Sequence, residues 1–132
     1  MQDTYHGSTV DELRQVRGGR RAKGLADQGS LFEHSGSIIL TDDTLELGHW
    51  MTLQPVEIAA VQQEFIPEYN RLRAGGARGG FPSLGLLRRA GAPILITLAS
   101  EVQLVLIIGF HLPLGTTHNS QWLPELRRFA GL

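Results

Sequence analysis

The sequence predicts an α+β domain that is mostly antiparallel β-structure, arranged as a small barrel or sandwich with a C-terminal amphipathic helix. Two apolar segments, residues 93–99 and 102–110, are joined by Ser100 and Glu101 alone. Such a short connection leaves no room for a crossover helix, so the segments are expected to form an antiparallel hairpin. Short alternating segments precede the hairpin, and a helical pattern ends the chain.

The composition favours one domain without cofactors. The chain has 132 residues, of which 42% are apolar, and it contains no cysteine. A chain of this length buries roughly two-thirds of its unfolded surface without disulfides or metals. The N-terminus lacks a signal-peptide core, and no apolar run reaches the roughly 18 residues of a spanning helix. We therefore expect a cytoplasmic protein, with peripheral membrane association as the alternative.

The first 29 residues are predicted to form a basic N-terminal arm ahead of a domain at 30–132. Thr9 and Glu12 have the spacing of a capping box, which would start a short helix ending at Gly18-Gly19. Five basic residues and no acid follow within ten residues: Arg14, Arg17, Arg20, Arg21 and Lys23. These residues are candidates for binding an anionic membrane, where each contributes about 1 kcal/mol. The alternative is a solvated tail.

Strands are expected from residue 31 onward, because the apolar period changes to two. Leu31-Phe32, Ile38 to Leu40, Leu45 and Leu47 alternate with polar residues, and Gly36 and Asp42-Asp43 mark reversals. Trp50 and Leu53 extend the apolar surface.

Residues 55–73 allow two interpretations. Ile58, Val61 and Phe65 have helical spacing after Pro55, while Pro67 argues against an unbroken helix and favours a strand over 57–65. A glycine-rich loop over 74–83 lacks the lysine and hydroxyl residue of a phosphate-binding loop. The arginines around it are candidate ligand-binding residues for an anion, with ordinary solvated side chains as the alternative. They are Arg71, Arg73, Arg78, Arg88 and Arg89.

The C-terminal residues 119–131 predict an amphipathic helix. Asn119 or Ser120 can cap it, and Gly131 lies just past its end. The side chains of Trp122, Leu126 and Phe129 share one face. We expect that face to close one end of the sheet.

These segments together resemble the bacterial form of the pleckstrin-homology-like superfold, over roughly residues 30–130. The resemblance rests on residues 36–47, 53–61, 93–110 and 117–122. It implies a strand at 57–65 and a non-catalytic module that binds phosphoinositides, peptides or proteins. In that family basic residues occupy the loop between the first two strands, and the resemblance places Asp42-Asp43 of this chain in that loop. Specific phosphoinositide binding is therefore not expected there.

A protein partner or self-association is the resulting functional expectation, with anionic-membrane binding as the alternative and nucleic acid not expected. Residues 102–108 are apolar on both faces, which indicates that the helix or another subunit covers the outer face. Histidines and carboxylates that could serve catalysis show neither a metal-binding spacing nor a nucleophile motif, so no enzyme, cofactor or metal is predicted. They are His34, His49, His111, His118, Asp42, Asp43, Glu64 and Glu68.

Overall fold

The computed structural model describes residues 1–15, 32–64, 92–110 and 116–132. Seven strands and two α-helices lie within these ranges. In chain order they are β1 (Gln2–Thr9), α1 (Val10–Arg14), β2 (His34–Leu40), β3 (Leu45–Leu47), β4 (Met51–Leu53), β5 (Ile58–Gln63), β6 (Ile94–Leu98), β7 (Gln103–Ile108) and α2 (Asn119–Phe129).

All seven strands belong to one antiparallel sheet in the order β4-β3-β2-β1-β7-β6-β5. The sheet curls into a half-barrel, and α2 packs mainly against β5 and also against β7. Its two edge strands, β4 and β5, are consecutive in the chain and are joined through a 3-10 turn at Pro55–Glu57. The predicted antiparallel β-class with a C-terminal helix is confirmed at this level.

Strand β1 was missed by the sequence analysis, which assigned residues 1–29 to an arm. It lies in the middle of the sheet, where Tyr5 faces Gly36 of β2 and Ile108 of β7. Its residues are mostly polar, and Tyr5 is its only large apolar side chain. The strand therefore depends on partners on both sides rather than on a local apolar pattern.

The predicted hairpin is confirmed as β6 and β7, which pair from Ile94↔Leu106 to Thr97↔Gln103. Its turn is longer than the two residues expected. The N–H of Glu101 donates to the carbonyl of Leu98 at 2.8 Å, and Glu101 has a φ of 75°. A residue in the left-handed region after a tight turn is a common way to match a short loop to twisted strands.

The main core lies on one face of the sheet, and α2 packs against it through the predicted apolar face. Trp122 and Leu126 are buried, while Phe129 is half-buried against the same cluster. The helix ends with Gly131 at φ 76°, where its N–H donates to Arg128 and the N–H of Leu132 donates to Arg127. This is the Schellman arrangement that a glycine past the helix end predicts.

The N-terminus of α2 differs from the prediction. His118 is the N-cap and makes no capping bond through its side chain, while Thr117 Oγ1 accepts from the N–H of Asn119 at 3.3 Å. Asn119 is instead buried, and its side chain accepts from the N–H of Ile108 at 2.8 Å and donates to the carbonyl of Ala92 at 2.9 Å. Its amide therefore ties the helix to the end of β7 and to the residue shortly before β6, as expected of a buried polar side chain.

The convex face of the hairpin is also covered, by this chain's own N-terminal segment. Val10 and Leu13 of α1, together with Phe32, pack on Val105 and Ile107. These two residues of the 102–108 segment are thus covered by α1 and Phe32 of the same chain, and not by α2.

In the segment 55–73, for which the sequence allowed a helix or a strand, residues Ile58–Gln63 form a strand, as the resemblance implied. Among the described strands β5 lies at the edge of the sheet, and Arg127 of α2 donates to the carbonyl of Val61 at 2.7 Å, which occupies part of that edge. The rest of 55–73 beyond Glu64 lies outside the described residues.

Candidate ligand-binding hollow

An open hollow lies where the start of β2 meets the turn between β3 and β4. It encloses about 510 Å³ and is lined by Tyr5, Glu33, His34, Ser35, His49 and Trp50. We call it the Trp50 hollow. Its residues come from three separate parts of the chain, which β-sheet pairing brings together: β1, residues 33–35 and the turn at 48–50.

Three aromatic rings form a stack along the hollow. The Tyr5 and Trp50 rings have centroids 6.3 Å apart and an interplanar angle of 12°, and those of Trp50 and His34 are 4.1 Å apart at 7°. Both spacings fall within or near the range of favourable offset stacking. The hydroxyl of Tyr5 donates to the carbonyl of Leu47 at 2.9 Å, so the first ring of the stack is fixed in place.

Gly7 makes space for this stack. A Cβ added there would lie 2.8 Å from Cζ3 of Trp50 and 2.6 Å from Cδ2 of Leu106. Both distances are shorter than carbon atoms tolerate, so only glycine lets the indole lie this close to β1.

Glu12 of α1 fixes the outermost ring. Its Oε2 lies 2.9 Å from Nε2 of His34, and its Oε1 accepts from the N–H of Thr9 at 2.8 Å while Thr9 Oγ1 accepts from the N–H of Glu12 at 3.1 Å. The predicted capping box is therefore confirmed. Burial alone would raise the pKa of Glu12, but the hydrogen bonds from Thr9 and His34 outweigh it and hold the pKa below 4.5. The carboxylate is ionised at neutral pH.

A second histidine–carboxylate pair lies elsewhere, at the junction of β1 and α2. Oδ2 of Asp3 accepts from Nε1 of Trp122 at 3.2 Å and lies 2.7 Å from Nδ1 of His118. Burial raises the pKa of Asp3, yet hydrogen bonds from His118, Thr4 and Trp122 lower it below 3.8 overall. This pair holds the helix to the first strand.

The candidate catalytic residues are thus divided among separate places. His34 pairs with Glu12, His118 pairs with Asp3, and His49 is exposed at the Trp50 hollow. Asp42 and Asp43 lie in the exposed β2–β3 turn, and Glu64 is exposed at the end of β5. His111 and Glu68 fall outside the described ranges. Within those ranges, three side chains suited to a metal ion do not come together.

One of the ten predicted basic binding residues, Arg14, lies within the described ranges. Its guanidinium is exposed and lies 3.2 Å from Oδ1 of Asp11. The other membrane-binding candidates (Arg17, Arg20, Arg21 and Lys23) and all five ligand-binding candidates (Arg71, Arg73, Arg78, Arg88 and Arg89) lie outside the described residues.

The topology changes the expected position of the Asp42-Asp43 turn in the sheet. The Asp42-Asp43 turn connects β2 to β3, whereas the connection between the first two strands is residues 10–33. By sequence, that first connection carries the basic run from Arg14 to Lys23. The acidic turn therefore does not occupy the position on which the argument against phosphoinositides was based.

The two ends of β6 have different described neighbours. The β6–β7 turn borders α1, with Thr9, Val10, Ser100 and Glu101 lining one shallow depression. The connection from β5 to β6 returns at Ala92, beside Asn119 at the other end of β6.

No protein-family model matches the chain, and no curated protein or solved structure is significantly similar to it. Within the described residues, no helix has the length and apolar character needed to cross a membrane. The pleckstrin-homology-like assignment stays a prediction.

Sequence reasoning missed the Trp50 hollow. Its members are far apart in the chain, and Glu12 and His34 are separated by 22 positions. The available signal was the polar sequence Gly48-His49-Trp50, in which a large aromatic residue occurs in a turn. From the sequence, Trp50 was expected only to extend the apolar surface.

Proposed function

We propose that this chain is a non-catalytic binding module that engages a protein partner through the Trp50 hollow. The observation that carries the proposal is the stack of three rings along an open, preformed depression. Concave surfaces with aromatic walls and a few fixed polar groups are the usual form of ligand sites. Tryptophan, tyrosine and arginine dominate the energetics of protein interfaces.

Two structural features favour a partner at this hollow over self-association through the hairpin. The convex face of β7, which the sequence offered as an interface, is covered by Val10, Leu13 and Phe32. At the hollow, Ser35 and His49 are exposed and Trp50 is half-buried. Among the residues that the structure describes, the hollow is open to a partner.

The proposal is tested by selecting peptides from a display library on the full chain and measuring their affinity for two matched variants. Ser35→Phe places a ring in the hollow, while Ser37→Phe places the same ring on the same exposed strand but outside the residues that line it. We expect Ser35→Phe to weaken binding by about tenfold or more, since blocking a central contact costs at least about 1.4 kcal/mol. Ser37→Phe should leave it unchanged. Peptides that bind both variants equally would place the interface elsewhere.

Peripheral binding to an anionic membrane is the second candidate, and the topology favours it specifically. The basic run belongs to the connection that begins with α1 and ends beside Glu33 and His34. Liposome co-sedimentation tests this candidate. Binding to vesicles containing phosphatidylserine that is lost between low and high salt supports it, because exposed charges are screened within about 10 Å at 0.1 M salt. Sedimentation that is absent, or equal with neutral vesicles, excludes it.

A further inference from the structure

We infer that the Trp50 hollow receives an extended peptide segment of the partner, which adds to β2 as a short strand and pairs with the backbone of Ser35. The inference rests on the proposed function and adds the conformation of the segment that is recognised. Three observations carry it: the hydrogen-bonding pattern of β2, the point at which β3 ends and the position of the aromatic rings.

The backbone N–H and C=O of Ser35 point away from β1. At the start of the ladder between β1 and β2, the amino group of Met1 donates to the carbonyl of Leu40 at 3.0 Å, and the N–H of Leu40 donates to the carbonyl of Met1 at 2.8 Å. Hydrogen-bonded and non-hydrogen-bonded pairs alternate along an antiparallel ladder. His6 and Ser35 are paired further along in unbroken register, at one of the non-hydrogen-bonded positions. The backbone groups of Ser35 are therefore directed to the side of β2 on which β3 lies.

β3 ends before it reaches Ser35. The pairing of the two strands ends at Ile38 with Leu47, and one more backbone bond follows, from the N–H of Gly48 to the carbonyl of Ser37 at 2.9 Å. The chain then turns into β4. Ser37 and Ser35 direct their carbonyls to the same side, since the orientation of backbone groups alternates along a strand. Within the described part of the chain, the N–H and C=O of Ser35 have no hydrogen-bond partner.

These two backbone groups match what an extended peptide offers. A residue of an antiparallel strand presents its N–H and C=O on one side and exchanges both bonds with the residue opposite. Peptides that add to a sheet in this way gain affinity from backbone hydrogen bonds and specificity from the pockets beside them. Ser35 is exposed, and no strand among the described residues lies opposite it on the side of β3. The open position has room for one short segment of a partner.

The aromatic rings lie beside this position. His34 precedes Ser35 in β2, and its ring is stacked on Trp50 with the centroids 4.1 Å apart. Trp50 belongs to the turn between β3 and β4, and it lines the same hollow as Ser35. Every second side chain of an added strand faces the same side of the sheet. The rings thus supply the side-chain contacts of the segment, and Ser35 supplies its backbone contacts.

The experiment is an amide-to-ester scan of the tightest peptide selected on the full chain. Each peptide N–H is replaced in turn by an ester oxygen, which removes a donor without adding bulk, and isothermal titration calorimetry measures the affinity. We expect the ester at one position to weaken binding about tenfold, because it leaves the carbonyl of Ser35 without a donor. Esters at the adjacent positions should have no effect, because their N–H groups point away from β2. Equal effects along the peptide, or no effect at any position, would overturn the inference.

Hydrogen exchange tests the same pairing from the side of the chain. In the full ¹⁵N-labelled chain saturated with the peptide, exchange of the Ser35 amide hydrogen should slow about tenfold or more, since that amide becomes bonded to a peptide carbonyl. The amide of Gly36 should change little, because Gly36 and Tyr5 already form a hydrogen-bonded pair. An unprotected Ser35 amide in the saturated complex would overturn the inference without requiring any variant to fold.

Ser35→Ala is the matched variant, since it keeps both backbone groups and removes the hydroxyl. It should bind the peptide as tightly as the original chain does. Weaker binding to Ser35→Ala by about tenfold would assign the contact to the side chain and overturn the backbone pairing.

The failure of this inference can be told apart from failure of the proposed function. A peptide that is weakened by Ser35→Phe but tolerates every ester would overturn strand addition and leave the binding module standing. A peptide that binds irrespective of Ser35→Phe, and that leaves exchange at Ser35 unchanged, would overturn both.

Discussion

Substituting Gly7 with alanine tests whether the Trp50 stack is packed against β1 as described. The added methyl would lie 2.6 Å from Leu106 and 2.8 Å from Trp50, so one of these side chains must move. Overpacking of this kind costs about 1–3 kcal/mol. Alanine also restricts the unfolded chain, which offsets about 0.5–1 kcal/mol. We expect Gly7→Ala to lower the free energy of unfolding by about 1–2 kcal/mol overall.

A double-mutant cycle identifies the atom responsible. Trp50→Phe removes Cζ3 of the indole, so the cost of Gly7→Ala should fall by about 1 kcal/mol in that background. Urea unfolding followed by far-ultraviolet circular dichroism measures all four chains, with the slope of the free energy against urea checked for constancy. Strict additivity of the two substitutions, or a Gly7→Ala chain as stable as the original, would refute the packing argument.

Three further predictions concern the packing of α2, the loss of stability at low pH and the turn between β6 and β7. Trp122→Ala should lower the free energy of unfolding in urea by about 3–5 kcal/mol. Trp122→Phe should lower it by about 1–3 kcal/mol, because that variant loses mainly the hydrogen bond to Asp3. Equal losses for the two variants would contradict the role of that bond. Because the folded pKa of Asp3 is lowered, its contribution to stability is present above the unfolded pKa and is lost as the pH falls through the folded pKa. In acid, the melting temperature of Asp3→Asn should therefore fall less steeply with decreasing pH than that of the original chain. An unchanged slope would argue against the pairing of Asp3 with His118. Glu101→Gly should raise the free energy of unfolding by about 0.5–1 kcal/mol, because Glu101 has a φ of 75°, whereas Ser100→Gly should not. If chemical denaturation shows Ser100→Gly to be the more stable variant, the left-handed conformation of Glu101 is excluded.

Local patterns were sufficient to predict the elements whose stability depends on nearby residues. The hairpin arms are continuous apolar runs, the capping box joins residues three positions apart, and α2 combines an apolar face with a terminal glycine. In each case the signal and the structure that it specifies lie within one segment of the chain.

Elements that depend on distant partners could not be predicted in this way. β1 is polar and is held by Ile108, which follows Tyr5 by more than a hundred positions. The Trp50 hollow likewise requires Gly7 beneath the indole and Glu12 beside His34. A carboxylate in a capping box carries no sign in the sequence that it also orients a histidine on a neighbouring strand.

The most direct test of the account is an intermolecular nuclear Overhauser experiment between the full chain and the tightest peptide from the display selection. The account predicts contacts between peptide protons and the ring protons of His34 and Trp50. Contacts confined to another surface, such as the exposed Val56 between β4 and β5, would contradict the assignment of the Trp50 hollow as the binding site.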